Sequence, residues 1–294
     1  MNRSKLHLVA VGVACFCASS AFAGPIVYNN LTPNNQIAIA SRPDAGGSFE
    51  IETGDDFSLD AHTLITSASF IGLIVPGANG GAFSISDIVA EMYRVFPLDS
   101  NIARTPNVPT RTNSPSDVAL DSKDSASGEL TFASSVLAAS FTALNSVQPG
   151  GIHASPGQNT LGNGPLTGEE VQIDVTFTTP FDLDPNHYFF VPQVALTNGA
   201  QFYWLSASRP ISGAGTTPFP AGVTDLQAWT RDANLDPDWL RVGTDIVGGT
   251  TPTTFNTVFS LDGTVVPEPS AGLFVYAGLM LIGVGRFVAR RKSV

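Results

Sequence analysis

The sequence predicts an all-β fold, a single β-sandwich or jelly-roll-like exported domain over 24–264. Three observations carry this expectation. Runs rich in β-branched and aromatic residues recur along the chain, Gly, Pro, Asn and Asp cluster between them, and long amphipathic helical patterns are few. The clearest run is "EVQIDVTFTTPFDL", where Val171, Ile173, Val175 and Phe177 share one face and Gln172, Asp174 and Thr176 the other.

Taken in order, residues 1–23 read as a signal peptide. Arg3 and Lys5 give a positive start, Leu8 to Cys17 an apolar core, and Ala21-Phe22-Ala23 the small-x-small pattern cut before Gly24. Both cysteines, Cys15 and Cys17, fall inside this segment. The processed chain therefore has no disulfide, no thiolate metal site and no cysteine nucleophile. Its stability must come from an apolar core, which the chain is long enough to build.

The runs "IAIASRP", "SFEIETGDDFSL", "TLITSASFIGLIV", "HYFFVPQVALT", "AQFYWLSASRP", "DWLRVGTDIV" and "TFNTVFSLDGTVV" are read as further strands. The stretch from Leu98 to Gly128 is rich in Ser, Thr, Asn and Pro and is expected to be a long loop. So is "QPGGIHASPGQNTLGNGPLTG", whose Gly and Pro content excludes a central strand. Between them, "LTFASSVLAASFTALNSV" fits a short helix or a strand equally.

Between Gly24 and Ser270 lie all 25 acidic residues but only eight of the 14 basic ones, a net charge of −17. Such a field repels nucleic acid, which is excluded as a partner, and favours cations and neutral polymers. No G-x-S-x-G, H-E-x-x-H or P-loop pattern is present. His62, His153 and His187 are dispersed and are expected to play isolated polar or capping roles.

Glu169-Glu170, Asp182 with Asp184, and Asp232 with Asp236 and Asp238 are the acidic groupings a glycosidase would need. An acidic surface yields such groupings by chance, so no catalytic residue is assigned. "DLDPN" and "DANLDPD" set oxygens at alternate positions, making Asp182, Asp184, Asp236 and Asp238 candidate ligands for a structural calcium; apart from that candidate no cofactor is expected. Neither follows the EF-hand pattern, and both also read as turns leading into strands. Trp204 and Trp239 are expected in the core. Trp229, flanked by polar residues in "LQAWTR", is the candidate for partial exposure and for stacking on a sugar ring, with core packing as its default reading.

The chain closes on 265–294. Pro267-Glu268-Pro269 within 266–270 precedes an apolar run of about 271–289, and Arg290, Arg291 and Lys292 follow. The run reaches the short limit of a spanning helix, and the basic cluster places its end in the cytoplasm with the body outside. Motif, helix and basic cluster in this order resemble the PEP-CTERM family of exported bacterial proteins. The resemblance covers only the last tenth of the chain. It implies that an exosortase recognises Pro267-Glu268-Pro269 and cuts near it, in bacteria that make exopolysaccharide. Two prolines keep that stretch extended, as a processing enzyme requires.

The sequence thus points to a non-enzymatic protein of the cell envelope or extracellular matrix, exported by signal peptidase, anchored by its C-terminal helix, processed by an exosortase and associated with polysaccharide. The alternatives are a secreted carbohydrate-active enzyme using an acidic pair and a calcium-dependent adhesion module.

Overall fold

The computed structural model describes residues 27–45, 47–78, 80–103, 113–152, 159–208, 227–235, 238–250 and 254–267. Ala21, Ala23 and Gly24, the tail from Glu268 through Pro269 to Arg290, Arg291 and Lys292, and also His153 and Asp236 lie outside the described residues. Among the described residues no helix is long and apolar enough to cross a membrane.

The fold is all-β. Its strands are β1 (Tyr28–Asn29), β2 (Pro33–Ala40), β3 (Ile51–Leu59), β4 (Thr63–Val75), β5 (Ile85–Arg94), β6 (Asp121–Asp124), β7 (Leu130–Ala143), β8 (Asn145–Val147), β9 (Leu166–Leu183), β10 (Asn186–Leu196), β11 (Gln201–Ala207), β12 (Trp229–Asp232), β13 (Leu240–Arg241), β14 (Asn256–Thr257) and β15 (Phe259–Val265). They form two curled sheets. The first runs β1-β15-β4-β11-β2-β8, with β9 and then β7 added on β4 and β14 on β11. The second runs β13-β12-β3-β10-β5-β6. Only β2 and β8 pair in parallel.

Alternation decides what each strand buries. On β9, Val171, Ile173, Val175 and Phe177 are buried while Asp174 and Thr176 are exposed. These residues join Phe70, Phe202, Trp204 and Phe259 of the first sheet and Phe57, Ile88, Met92 and Phe190 of the second in one shared core. The first sheet is buried on both faces at its centre. Ile71, Leu73, Tyr203 and Leu205 point away from that core into a second cluster with Ile37, Val242 and Ile246. A close approach makes this crowding possible. At Gly72 a Cβ would stand 2.3 Å from the Phe202 ring and 2.6 Å from the Tyr203 carbonyl oxygen.

The chain passes from one sheet to the other just after β2. Ser41 Oγ donates to the Pro192 carbonyl at 2.6 Å, Val194 N donates to the Ser41 carbonyl at 3.3 Å, and Arg42 bridges Ile51. This crossing ties β2 to both β3 and β10.

Four sequence expectations are revised. "DWLRVGTDIV" is a strand only at Leu240–Arg241 and then curls into a π-helical turn over Val242–Val247. The cause is Asp245, whose carboxylate accepts the Arg241 backbone N–H at 2.8 Å and its Nε and Nη2 at 2.9 Å. The undecided segment is the fourteen-residue strand β7. The expected loop from Leu98 to Gly128 contains β6, and the unforeseen β5 lies beside it in the sheet.

Candidate functional site

The outer face of the second sheet carries a buried polar cluster, assembled by register. Even-numbered residues of β3 and odd-numbered residues of β5, β10 and β12 point away from the shared core. Arg231 pairs directly across from Glu52, and Val191 across from Glu91. Tyr93, Phe189, Val191, Trp229 and Trp239 form an apolar layer beside them.

Glu52 and Arg231 are 5 % and 6 % exposed. Arg231 Nε donates to Glu52 Oε2 and Nη2 to Oε1 at 3.2 Å, and the Tyr93 hydroxyl also donates to Glu52 Oε1. Arg231 Nη1 donates to the Asp117 carbonyl at 3.0 Å. Its guanidinium carbon lies 4.5 Å from the Trp239 ring centroid and 5.6 Å from that of Tyr93, so the cation rests against both rings. Trp239 is fixed in turn by its indole N–H, which donates to the Ser116 carbonyl at 2.9 Å.

Two more glutamates, both half-buried, join Glu52. Gln193 Nε2 donates to Glu50 Oε1 and to Glu91 Oε2, each at 3.2 Å. One oxygen from each of Glu50, Glu52 and Glu91 falls within 4.8 Å of the others. Burial, reinforced by the Glu52 and Glu50 carboxylates, pushes the Glu91 carboxyl up to about 8. Burial and Glu52 also raise Glu50, and burial raises the Tyr93 phenol. The cluster opens on a cleft of about 310 Å³ bordered by Asp117 and Asp232.

The residues singled out from the sequence are placed differently. Trp229 is 1 % exposed and packs under this cluster, which corrects the candidate exposure and leaves no ring face for a sugar. Its polar neighbours Gln227, Thr230 and Arg231 are themselves buried, so their polarity did not mark a surface. Trp204 and Trp239 are buried as expected. Asp182 and Asp184 are exposed, Asp182 as the penultimate residue of β9 and Asp184 in the turn to β10. Asp182 bonds His62, and the Asp184 backbone carbonyl accepts the Tyr188 hydroxyl at 2.8 Å. His187 Nε2 meets Asp56 Oδ2 at 2.8 Å.

Asp238 lies in the turn from β12 to β13, and Asp232 Oδ1 caps that turn by accepting Asn234 N at 2.8 Å and Leu235 N at 3.0 Å. The two acidic turns attach at opposite ends of β3, next to Leu59 and Ile51, roughly 26 Å apart at the usual strand rise. They do not form one site. Glu169 and Glu170 are successive residues of β9 and so point to opposite faces. Among the described residues the converging carboxylates are Glu50, Glu52 and Glu91. The spacing of Glu50 and Glu52 two apart was the only sequence sign of them.

Pro267 is exposed, two residues past the end of β15, and Val266 N donates to the His62 carbonyl at 2.8 Å. No protein-family model, curated protein or solved structure matches the chain.

Proposed function

We propose that the chain is a non-enzymatic protein of the cell envelope or extracellular matrix. A single β-sandwich body is exported, held by the C-terminal helix, processed at Pro267-Glu268-Pro269 and associated with exopolysaccharide. The observation that carries the non-enzymatic reading is the placement of the glutamates. Their oxygens stand side by side on one sheet face within 4.8 Å. A glycosidase instead needs its two carboxyl groups on opposite sides of the bond it cuts. Glu52 is also committed to Arg231 and Tyr93. The arrangement suits holding a ligand, not dividing one.

The sorting step is supported by the exit of the chain from the first sheet. Pro267 stands in the open immediately after β15, where an extended segment is accessible to an enzyme at the membrane surface. The acidic body favours neutral polymers over anionic ones. Mass spectrometry of the protein from its native host tests the reading. Loss of everything beyond the motif is expected, and Glu268→Ala should leave the chain intact to its end. A wild-type chain that keeps Arg290, Arg291 and Lys292 would refute it.

A further inference from the structure

We propose that β7 is an interaction surface for a second copy of this chain. The two β7 strands pair antiparallel about a two-fold axis at Ser134, so that the first sheet of one copy continues into that of the other. The contact goes beyond the proposed export and sorting, which would stand if it failed.

A sheet edge exposes main-chain groups that invite another strand, and proteins keep such edges short, charged or covered. The end strands β1, β8, β6 and β13 follow that rule, at two to four residues each. β7 does not. It is fourteen residues long and pairs with β9 on one side, with no strand on the other among the described residues. Every residue from Thr131 to Leu137 is exposed, and Leu130–Ala143 contains neither a charge nor a proline. Charge decides the occupant. The body between Gly24 and Ser270 carries a net −17, so two copies repel each other wherever their acidic surfaces face. They can meet along a strand without charge. A basic partner would be drawn to the acidic faces instead and gains nothing from β7.

Register makes the strand complementary to itself. Thr178 N donates to the Glu129 carbonyl at 2.8 Å, one step beyond the pair of Leu130 with Phe177. Odd-numbered residues therefore exchange hydrogen bonds with β9, and the N–H and C=O groups of Phe132, Ser134 and Val136 point to the free side. The pairing with β9 is regular from Leu130 to Val136 and shifts beyond it, so this stretch is the straight part of the edge. A two-fold turn about Ser134 sets Phe132 opposite the second copy's Val136, and Val136 opposite its Phe132. Both side chains lie on the core face, across from the buried Val175 and Val171 of β9. In the single chain they are 37 % and 57 % exposed. An aromatic ring facing a β-branched chain is a favoured cross-strand pair, so each copy covers what the other leaves open. A turn about Ala133 would set Phe132 against Ser134 and lose this match. The contact uses the same patch on both copies, so assembly closes at two.

Cysteine cross-linking tests this on the full chain purified in detergent, with Cys15 and Cys17 changed to Ser. Ser134→Cys sets the thiol opposite itself at a Cα spacing of about 5.5 Å, within disulfide reach, so mild oxidation should give a covalent dimer. Thr131→Cys, which the same register holds roughly 20 Å from its counterpart, should stay uncrosslinked. Sedimentation of the wild type at micromolar concentration should show a dimer that tightens as salt screens the acidic bodies. Val136→Lys changes an exposed side chain, places a charge on the edge, and should weaken the dimer by more than about tenfold while the β circular dichroism is kept. A monomer in sedimentation, cross-linking at Thr131 as efficient as at Ser134, or a dimer indifferent to Val136→Lys, as association through the tail would give, overturns the proposal.

Discussion

Glu52 and Asp55 stand three residues apart on β3 and solve the burial of a carboxyl group in opposite ways. Glu52 faces outward, where Arg231 grips both of its oxygens and Tyr93 adds a third donor. Asp55 faces inward and is 0 % exposed. Its Oδ2 accepts Thr257 N at 2.6 Å and Thr257 Oγ1 at 3.1 Å, linking β3 to β14 of the other sheet, and its Oδ1 has no partner. Burial, with the neighbouring Asp56 charge added, holds the Asp55 carboxyl well above the ordinary range. One face therefore buries an ion pair, and the other buries a carboxyl group whose ionisation burial opposes. The choice depends on whether a strand partner delivers a cation at the facing position, as β12 does for Glu52 and β10, with Phe190 opposite, does not for Asp55.

The sharpest way to break this contrast is Arg231→Met. It strands the Glu52 charge and should cost about 3–5 kcal/mol in urea unfolding. A loss below about 1 kcal/mol would mean that the Glu52–Arg231 ion pair does not hold this face, and the distinction would vanish.

Asp55→Asn probes the other side through pH. A carboxyl raised in the folded state contributes stability that is complete below its unfolded value of about 3.9 and is lost as pH rises toward the folded value. The amide does not titrate. The stability of Asp55→Asn relative to wild type should therefore climb from about pH 4 upward, by at most about 1.4 kcal/mol per pH unit. Urea unfolding of both proteins across that range measures it, and a flat difference would show that Asp55 is ionised in place.

The smallest effect is expected at the solvent-facing pair of His62 and Asp182. The hydrogen bond that the His62 ring donates to the Asp182 carboxylate raises the imidazole above its ordinary value. Asp182→Asn should return the ring toward its ordinary titration, read by NMR, while the melting temperature stays unchanged.

How much of this was open to sequence reading depended on whether a signal was local. The alternation in β9 is local, and Val171 through Phe177 are buried as that pattern requires. In "DWLRVGTDIV" the apolar residues Val242 and Ile246 are buried as a strand's would be, yet Asp245 reaches back to Arg241 and curls the backbone. No periodicity reports a side chain that bonds its own main chain four residues earlier. β5 does alternate, with Ile88, Ala90 and Met92 inside. Its outward Glu91 and Tyr93 look like solvent-facing residues until Glu52 and Arg231 are placed beside them. Glu50 stands just before β3 and Glu52 on it, but Glu91 reaches them only because β10 lies between β3 and β5. Acidic residues close in sequence, such as Asp182 and Asp184, advertised a site that the turn spreads into solvent.

The position of β15 bears on mechanical load. It lies between β1 and β4, and the tail leaves directly from its end. Pulling on that tail directs force lengthwise along β15, so the seven residue pairs that join it to β4 are sheared together instead of being peeled in turn. A tether attached there grips the body through a strand that β4 holds along its whole length and β1 along part of it.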